Sequence, residues 1–200
     1  MEAPRKMILL DPDLDPDAAP CPAAGRPSIA VKASDLRLPS KQTLARFLSK
    51  ARLAVPLGGK VTVLLTTDAA QRGFNRRFRG KNKPTDVLSF PADSNVPGAE
   101  RFAGDLSISV PTACRQALQQ GHSLATEIKV LMLHGVLHLA GYDHETDSGQ
   151  MARRERTLRT RLGLPGGLIE RTASTKPASA KPKPLATSKA VRPATKRRRA

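Results

Sequence analysis

The chain has 200 residues, 39% of them apolar, and a formal net charge of +17 at pH 7. That length holds one domain of ordinary size with a real hydrophobic core, and the charge makes a polyanion, most simply RNA or DNA, the expected partner ahead of an acidic small molecule. Two cysteines, Cys21 and Cys114, are too few for a disulfide framework, no cationic region followed by an apolar run opens the chain, and no segment approaches the roughly 20 apolar residues of a membrane span, so the expectation is a cytoplasmic protein with no membrane partner.

In chain order, "RKMILL" reads as a short strand and the Asp/Pro-rich stretch after it, residues 11–27, as a loop. The spacing of Asp11, Asp13 and Asp15 invites a calcium reading, but Pro16 and Pro22 stand where such a loop needs Gly and Glu. "SIAVKAS" is expected to pair as a second strand. Ser40 is placed to cap a helix with Leu44, Phe47 and Leu48 on one face, and the β-branched "KVTVLLTT" reads as a central strand. Asp68 is expected to cap a helix running towards Phe78, with "TDVLSFP" and "GDLSISVP" as further strands and a surface loop, "ADSNVPGAERFA", between them. Pro111 opens a helix that ends at Gly121, Ser123 caps a long apolar helix, and a last arginine-rich amphipathic helix spans about residues 147–162. The sum is a small sheet with helices packed on it.

Charge and apolar content divide the chain in two. Residues 171–200 hold ten Lys/Arg, no acid and almost no large apolar residue, while residues 1–170 carry a net +7. The first 170 residues are expected to be the folded domain and the last 30 a disordered basic tail, because burial there cannot offset the entropy of ordering.

Three of the chain's four histidines, His134, His138 and His144, fall within the apolar stretch "VLMLHGVLHLAGYDHETD", residues 130–147. A buried imidazole needs partners for both ring nitrogens, and one metal ion would serve all three. His134 and His138 are i and i+4 on a helix, which stacks their rings on one face. Gly141 can adopt the left-handed conformation that ends a helix, letting the chain return His144 to the same point. Three imidazoles leave a fourth position open, the pattern of a catalytic zinc site and not of a closed structural one. The same residues match the metzincin pattern H-E-x-x-H-x-x-G-x-x-H except at its second position, where Gly135 replaces the general-base Glu; a protease is thereby demoted.

Upstream, "RGFNRRFRGKNK", residues 72–83, contains six Lys/Arg and no acid. Phe74 and Phe78, at i and i+4, are expected to anchor this helix to the core. Its basic residues and the turn that follows are candidates to hold phosphates, Arg76, Lys81 and Lys83 among them, and Arg79, beside a glycine in a turn, is the one expected to act on substrate.

The string "HGVLHLAGYDH", together with "FNRRFRGKNKPTDVLSFP" and "GDLSIS" in the same order and at compatible spacing, strongly resembles the YbeY family of bacterial rRNA-maturation endoribonucleases. The likeness is close over about residues 60–163 and holds in outline over 7–59. It implies an α+β fold, a sheet backed by helices, and a metal-dependent, single-strand-preferring endoribonuclease acting in maturation of ribosomal RNA, at the 16S 3′ end, and in ribosome quality control. It further implies one Zn2+ per chain on His134, His138 and His144, a role in activity for Arg79, and the small ribosomal subunit and assembly factors as partners. The general base is left open, with Asp143 a neighbour of a ligand. Two competing classes are carried forward: a ribosome-assembly RNA-binding factor with a mainly structural metal, and a zinc hydrolase acting on something other than RNA.

Overall fold

The computed structural model of the protein describes residues 7–15, 31–92 and 102–165. Four strands, β1 (Ile8–Leu10), β2 (Lys60–Thr66), β3 (Val87–Pro91) and β4 (Phe102–Ser109), form one sheet in the order β1-β2-β4-β3. β1 and β4 each run parallel to β2, while β3 runs antiparallel to β4 along the other edge. A 3-10 helix (Ala33–Leu36) and five α-helices complete the described residues: α1 (Lys41–Ala54), α2 (Asp68–Arg79), α3 (Val110–Gln120), α4 (Leu124–Leu139) and α5 (Gln150–Leu162). The fold is the α+β arrangement expected, a small mixed sheet backed by helices, with β2 inside it.

The helix ends follow local chemistry. Ser40 and Ser123 each accept a backbone N–H three residues on, from Thr43 and Thr126, both at 3.2 Å. Three expectations shift. Thr67 caps α2 in place of Asp68, accepting from the Ala70 N–H at 3.2 Å, because the Asp68 carboxylate is taken by Ser109, by Thr112 at 2.7 Å and by Arg115 at 2.8 Å. The last helix begins at Gln150 and not at Asp147, whose carboxylate accepts the Gly149 and Met151 N–H groups, both at 2.7 Å. The second strand expected in "SIAVKAS" is absent from its described part: Ala33–Leu36 is a 3-10 turn in which the Asp35 N–H donates to the Lys32 carbonyl at 2.9 Å, a local bond in place of a ladder bond, and β1 pairs with β2 instead. Residues 28–30, most of the Asp/Pro-rich stretch, the loop at 93–101 and the tail lie outside the described residues.

The core forms around α4, whose Leu124, Ile128, Val130, Leu131, Met132, Leu133, Val136 and Leu137 are fully buried. A helix apolar on all sides belongs inside, and α4 is packed against the β3–β4 hairpin and flanked by α1, α3 and α5. Contact with the sheet is close at Gly135, where a Cβ would stand 2.7 Å from Leu106 Cδ2 and 3.3 Å from Ser89 Oγ.

Successive strand residues face opposite sides of a sheet, so Ser107, next to Leu106, points away from α4. There it meets α2: Ser107 Oγ donates to Gln71 Oε1 at 2.6 Å and Gln71 Nε2 returns a bond to the Ser107 carbonyl at 3.1 Å. α2 is thus tied to the sheet by buried Gln71, and its other buried side chain, Asn75, ties it to the bend beyond; neither of the phenylalanines expected to anchor it is buried. Phe74 is half-buried and Phe78 is 56% exposed; both meet the ring of Phe90 edge-on. The β3–β4 surface under α2 offers Ser107 and Phe90, which calls for amide partners as much as for apolar ones.

Candidate metal centre and adjoining basic segment

α4 ends in a six-residue capping motif that determines where the third histidine goes. Gly141 takes φ 87°, its N–H donates to the His138 carbonyl at 3.0 Å, and the Tyr142 N–H donates to the Leu137 carbonyl at 3.1 Å. The chain doubles back across the end of its own helix and returns His144 to the rings of His134 and His138, with ring centres 5.3 Å from each. One nitrogen from each of the three lies within 4.8 Å of the other two. The Nε2 atoms of His134 and His138 are 3.1 Å apart. Two nitrogens bound to one tetrahedral zinc at 2.0–2.1 Å stand about 3.3 Å apart, so this pair already has the edge length of such a site.

Protonation states match. His134 is buried, and its Nδ1 donates to Glu155 Oε2 at 3.2 Å. Glu155 is itself bound through Oε1 to Arg159 Nε at 2.7 Å, and Arg159 Nη1 donates to the Pro165 carbonyl at 2.9 Å. A carboxylate held by a guanidinium only accepts, so Nδ1 carries a proton and Nε2 is the nitrogen that faces the cluster. Burial, reinforced by neighbouring His134 and His144, pushes the His138 pKa down to about 4, keeping that ring in the neutral form that binds metals. The donor set fits zinc.

Asp143, next to the third histidine, is engaged by its own loop. Its carboxylate accepts from the Glu145 N–H and the Thr146 hydroxyl, both at 3.0 Å, and these bonds hold its pKa below the usual carboxylate range. At the second position of the metzincin pattern, a Cβ on residue 135 would stand 2.7 Å from Leu106 Cδ2, so a glutamate there would require Leu106 to shift.

Arg79 is the last residue of α2, ahead of Gly80, and its Nη2 lies 3.8 Å from Glu145 Oε1, one residue past His144. The end of α2 and the histidine loop therefore meet. Arg76, Lys81 and Lys83 are exposed on the last turns of α2 and the bend beyond it. Among the described residues none of these three pairs with the histidine loop. The bend itself is fastened by Asn75, which donates to the Lys83 carbonyl at 2.7 Å and whose own carbonyl accepts the Lys81 N–H at 3.2 Å.

The sequence profile of the family described as Endoribonuclease YbeY matches residues 26–163. The chain belongs to the YbeY endoribonuclease family. A Koribacter versatilis protein named Endoribonuclease YbeY is 53% identical over 139 residues, covering 70% of this chain and 87% of its own. One of the same name from Solibacter usitatus is 50% identical over 139 residues, covering 70% of this chain and 88% of its own. The solution structure of a Thermotoga maritima protein aligns with 88% of this chain and all of its own at 22% identity and a TM-score of 0.45.

In this YbeY family member the residues that sequence reasoning missed are Glu155 and Arg159, read only as part of an arginine-rich amphipathic helix. A signal was available: Met151, Glu155, Leu158 and Leu162 fall at i, i+4, i+7 and i+11, so a glutamate sits in the stripe that faces the core, with Arg159 one turn on to pair with it. Among the described residues no helix is long and apolar enough to cross a membrane.

Proposed function

We propose that the protein is a zinc-dependent, single-strand-preferring endoribonuclease that acts in the cytoplasm on ribosomal RNA, at the 16S 3′ end, and in ribosome quality control, with the small subunit and assembly factors as partners. Membership of the YbeY endoribonuclease family supports an RNA-cleaving hydrolase. The observation that supports the finer reading is the 3.8 Å approach of Arg79 to Glu145, the residue after His144, on the loop that completes the three-histidine cluster.

His134, His138 and His144 would hold one zinc ion per chain. Bound there, zinc supplies Lewis acidity towards a phosphoryl oxygen or lowers the pKa of a water. Arg79 holds two oxygens of the scissile phosphate through its planar fork. Its present contact with Glu145 is long and half-exposed, worth little in water, so a phosphate displaces the carboxylate at small cost. Arg76, Lys81 and Lys83 contact flanking phosphates and set the strand's path towards the cluster. Three ligands leave the open position of a catalytic site, which favours catalysis over a structural metal. Gly135 stands where peptide hydrolysis by the metzincin pattern would require a glutamate base.

Single-turnover cleavage of unstructured and duplex RNA tests the reading. The unstructured strand is cut faster. Arg79→Ala retains fold and metal yet loses cleavage, and Arg79→Lys recovers little, since a point charge cannot reproduce the fork. Wild-type rates in both variants would refute the assignment of Arg79.

A further inference from the structure

Phe78 is anomalous. It is 56% exposed, one residue before Arg79, and the tie of α2 to the sheet is made by Gln71 on Ser107. Its ring is nevertheless held in place: Phe90 meets it edge-on with centres 5.0 Å apart, and the Arg77 guanidinium carbon lies 5.3 Å from its centre. An aromatic side chain braced by a second ring, left in solvent and set in a run of arginines, matches the composition of a surface that takes a nucleobase on its π-face and the adjoining phosphates on its cations.

Phe78 also lies at the correct end of the molecule. Phe90 belongs to edge strand β3, and its carbonyl lies beside Gly104, which is also packed by Leu139 at the end of α4, the helix that carries His134 and His138. Phe78 and the histidine cluster therefore flank the same end of the β3–β4 hairpin, and Arg79, next to Phe78, reaches Glu145 on the loop of His144.

We infer that Phe78, backed by Phe90, is a stacking subsite for one unpaired base of the RNA strand whose phosphate Arg79 holds. The inference rests on the RNA reading given above and supplies its physical basis for single-strand preference. A base in a duplex is stacked on both faces and cannot reach an external ring, whereas an unpaired base can. Arg77, itself exposed, gives up its place over the ring and turns to a neighbouring phosphate when the base arrives.

The test uses the full-length, metal-loaded protein and unstructured RNA oligonucleotides carrying 2-aminopurine at one position at a time, read before cleavage with integrity checked on a gel. The wild type quenches fluorescence at one or two adjacent positions. Phe78→Ala loses that quench and binds about 5- to 150-fold more weakly, the range for one stacked base. Phe78→Trp restores the quench; Phe78→Leu, which keeps apolar bulk without a π-face, does not. Replacing the quenched base by an abasic unit equalises wild type and Phe78→Ala. The slope of log K against log salt is unchanged in Phe78→Ala but shallower by about 0.7 in Arg79→Ala, because only the arginine neutralises a phosphate. Unaltered quench and affinity in Phe78→Ala would overturn the subsite while leaving the RNA reading intact. Failure of the wild type to bind any of these RNAs would overturn that reading and the subsite with it.

Discussion

His134 and Glu155 are joined across 21 residues by a 3.2 Å hydrogen bond, and Glu155 is fixed in turn by Arg159 at 2.7 Å. A buried ion pair contributes little net stability over an apolar replacement, so its value here lies in orienting the imidazole. Glu155→Gln should keep the fold and lower zinc affinity about 10- to 100-fold, read by competition with a chromophoric chelator. Glu155→Ala should in addition cost about 3–5 kcal/mol in denaturant unfolding, since it removes the oxygen that accepts from buried Arg159 Nε, which the amide oxygen of Gln can still supply. Unchanged zinc affinity in Glu155→Gln would show that His134 needs no such support.

Gly135 is fixed by packing. Alanine is the better helix former by about 1 kcal/mol, yet its methyl would stand 2.7 Å from Leu106 Cδ2. Gly135→Ala should therefore be net destabilising, by about 1–3 kcal/mol, as overpacked cores are. A thermal melt shifted upwards would mean that α4 and the sheet separate more easily than their contact suggests.

The lesson from α4 is that local chemistry was legible. Ser123, the i, i+4 histidines and the Gly141 turn act within a few residues of one another, and each was readable because helix geometry alone converts spacing into position. What the sequence concealed is long-range. Gln71 meets Ser107 and Glu155 meets His134 through side chains whose partners lie in other elements, and nothing at either end of such a pair marks the other. The misread strand near residue 33 and the misplaced anchors Phe74 and Phe78 have the same origin: propensity and periodicity name a residue's type of surroundings, while the sheet order decides which surface is there to receive it.

Asp68 links α2 to α3, and its pKa carries a pH signature. Burial raises it, but hydrogen bonds from Ser109, Thr112 and Arg115, with the charge of Arg115, outweigh burial and leave the carboxyl below its ordinary value. A group with a depressed folded pKa contributes stability that is complete above its unfolded pKa and disappears as pH falls through the folded one. Asp68→Asn should thus be less stable than wild type by about 1–2 kcal/mol at pH 7, and the two should converge below about pH 4. A constant difference from pH 7 to pH 3 would show that the ionised carboxylate is not what the link requires.

Residues 171–200 carry ten Lys/Arg and no acid. Deleting them should leave the intrinsic cleavage step nearly unchanged and weaken RNA binding at low salt. If half of those charges engage phosphates of a single strand, the slope of log K against log salt becomes shallower by about 3.5. An identical slope after truncation would show that the tail does not touch RNA.

The most direct test of the central claim is a zinc titration of metal-stripped protein followed by single-turnover cleavage of an unstructured RNA, with His138→Ala alongside. Cleavage should rise with added zinc and level off at one equivalent per chain, while His138→Ala, which loses one of the three clustered ligands, stays flat. Full cleavage by the stripped protein, or by His138→Ala at the wild-type rate, would contradict the assignment of the histidine cluster as the catalytic metal centre.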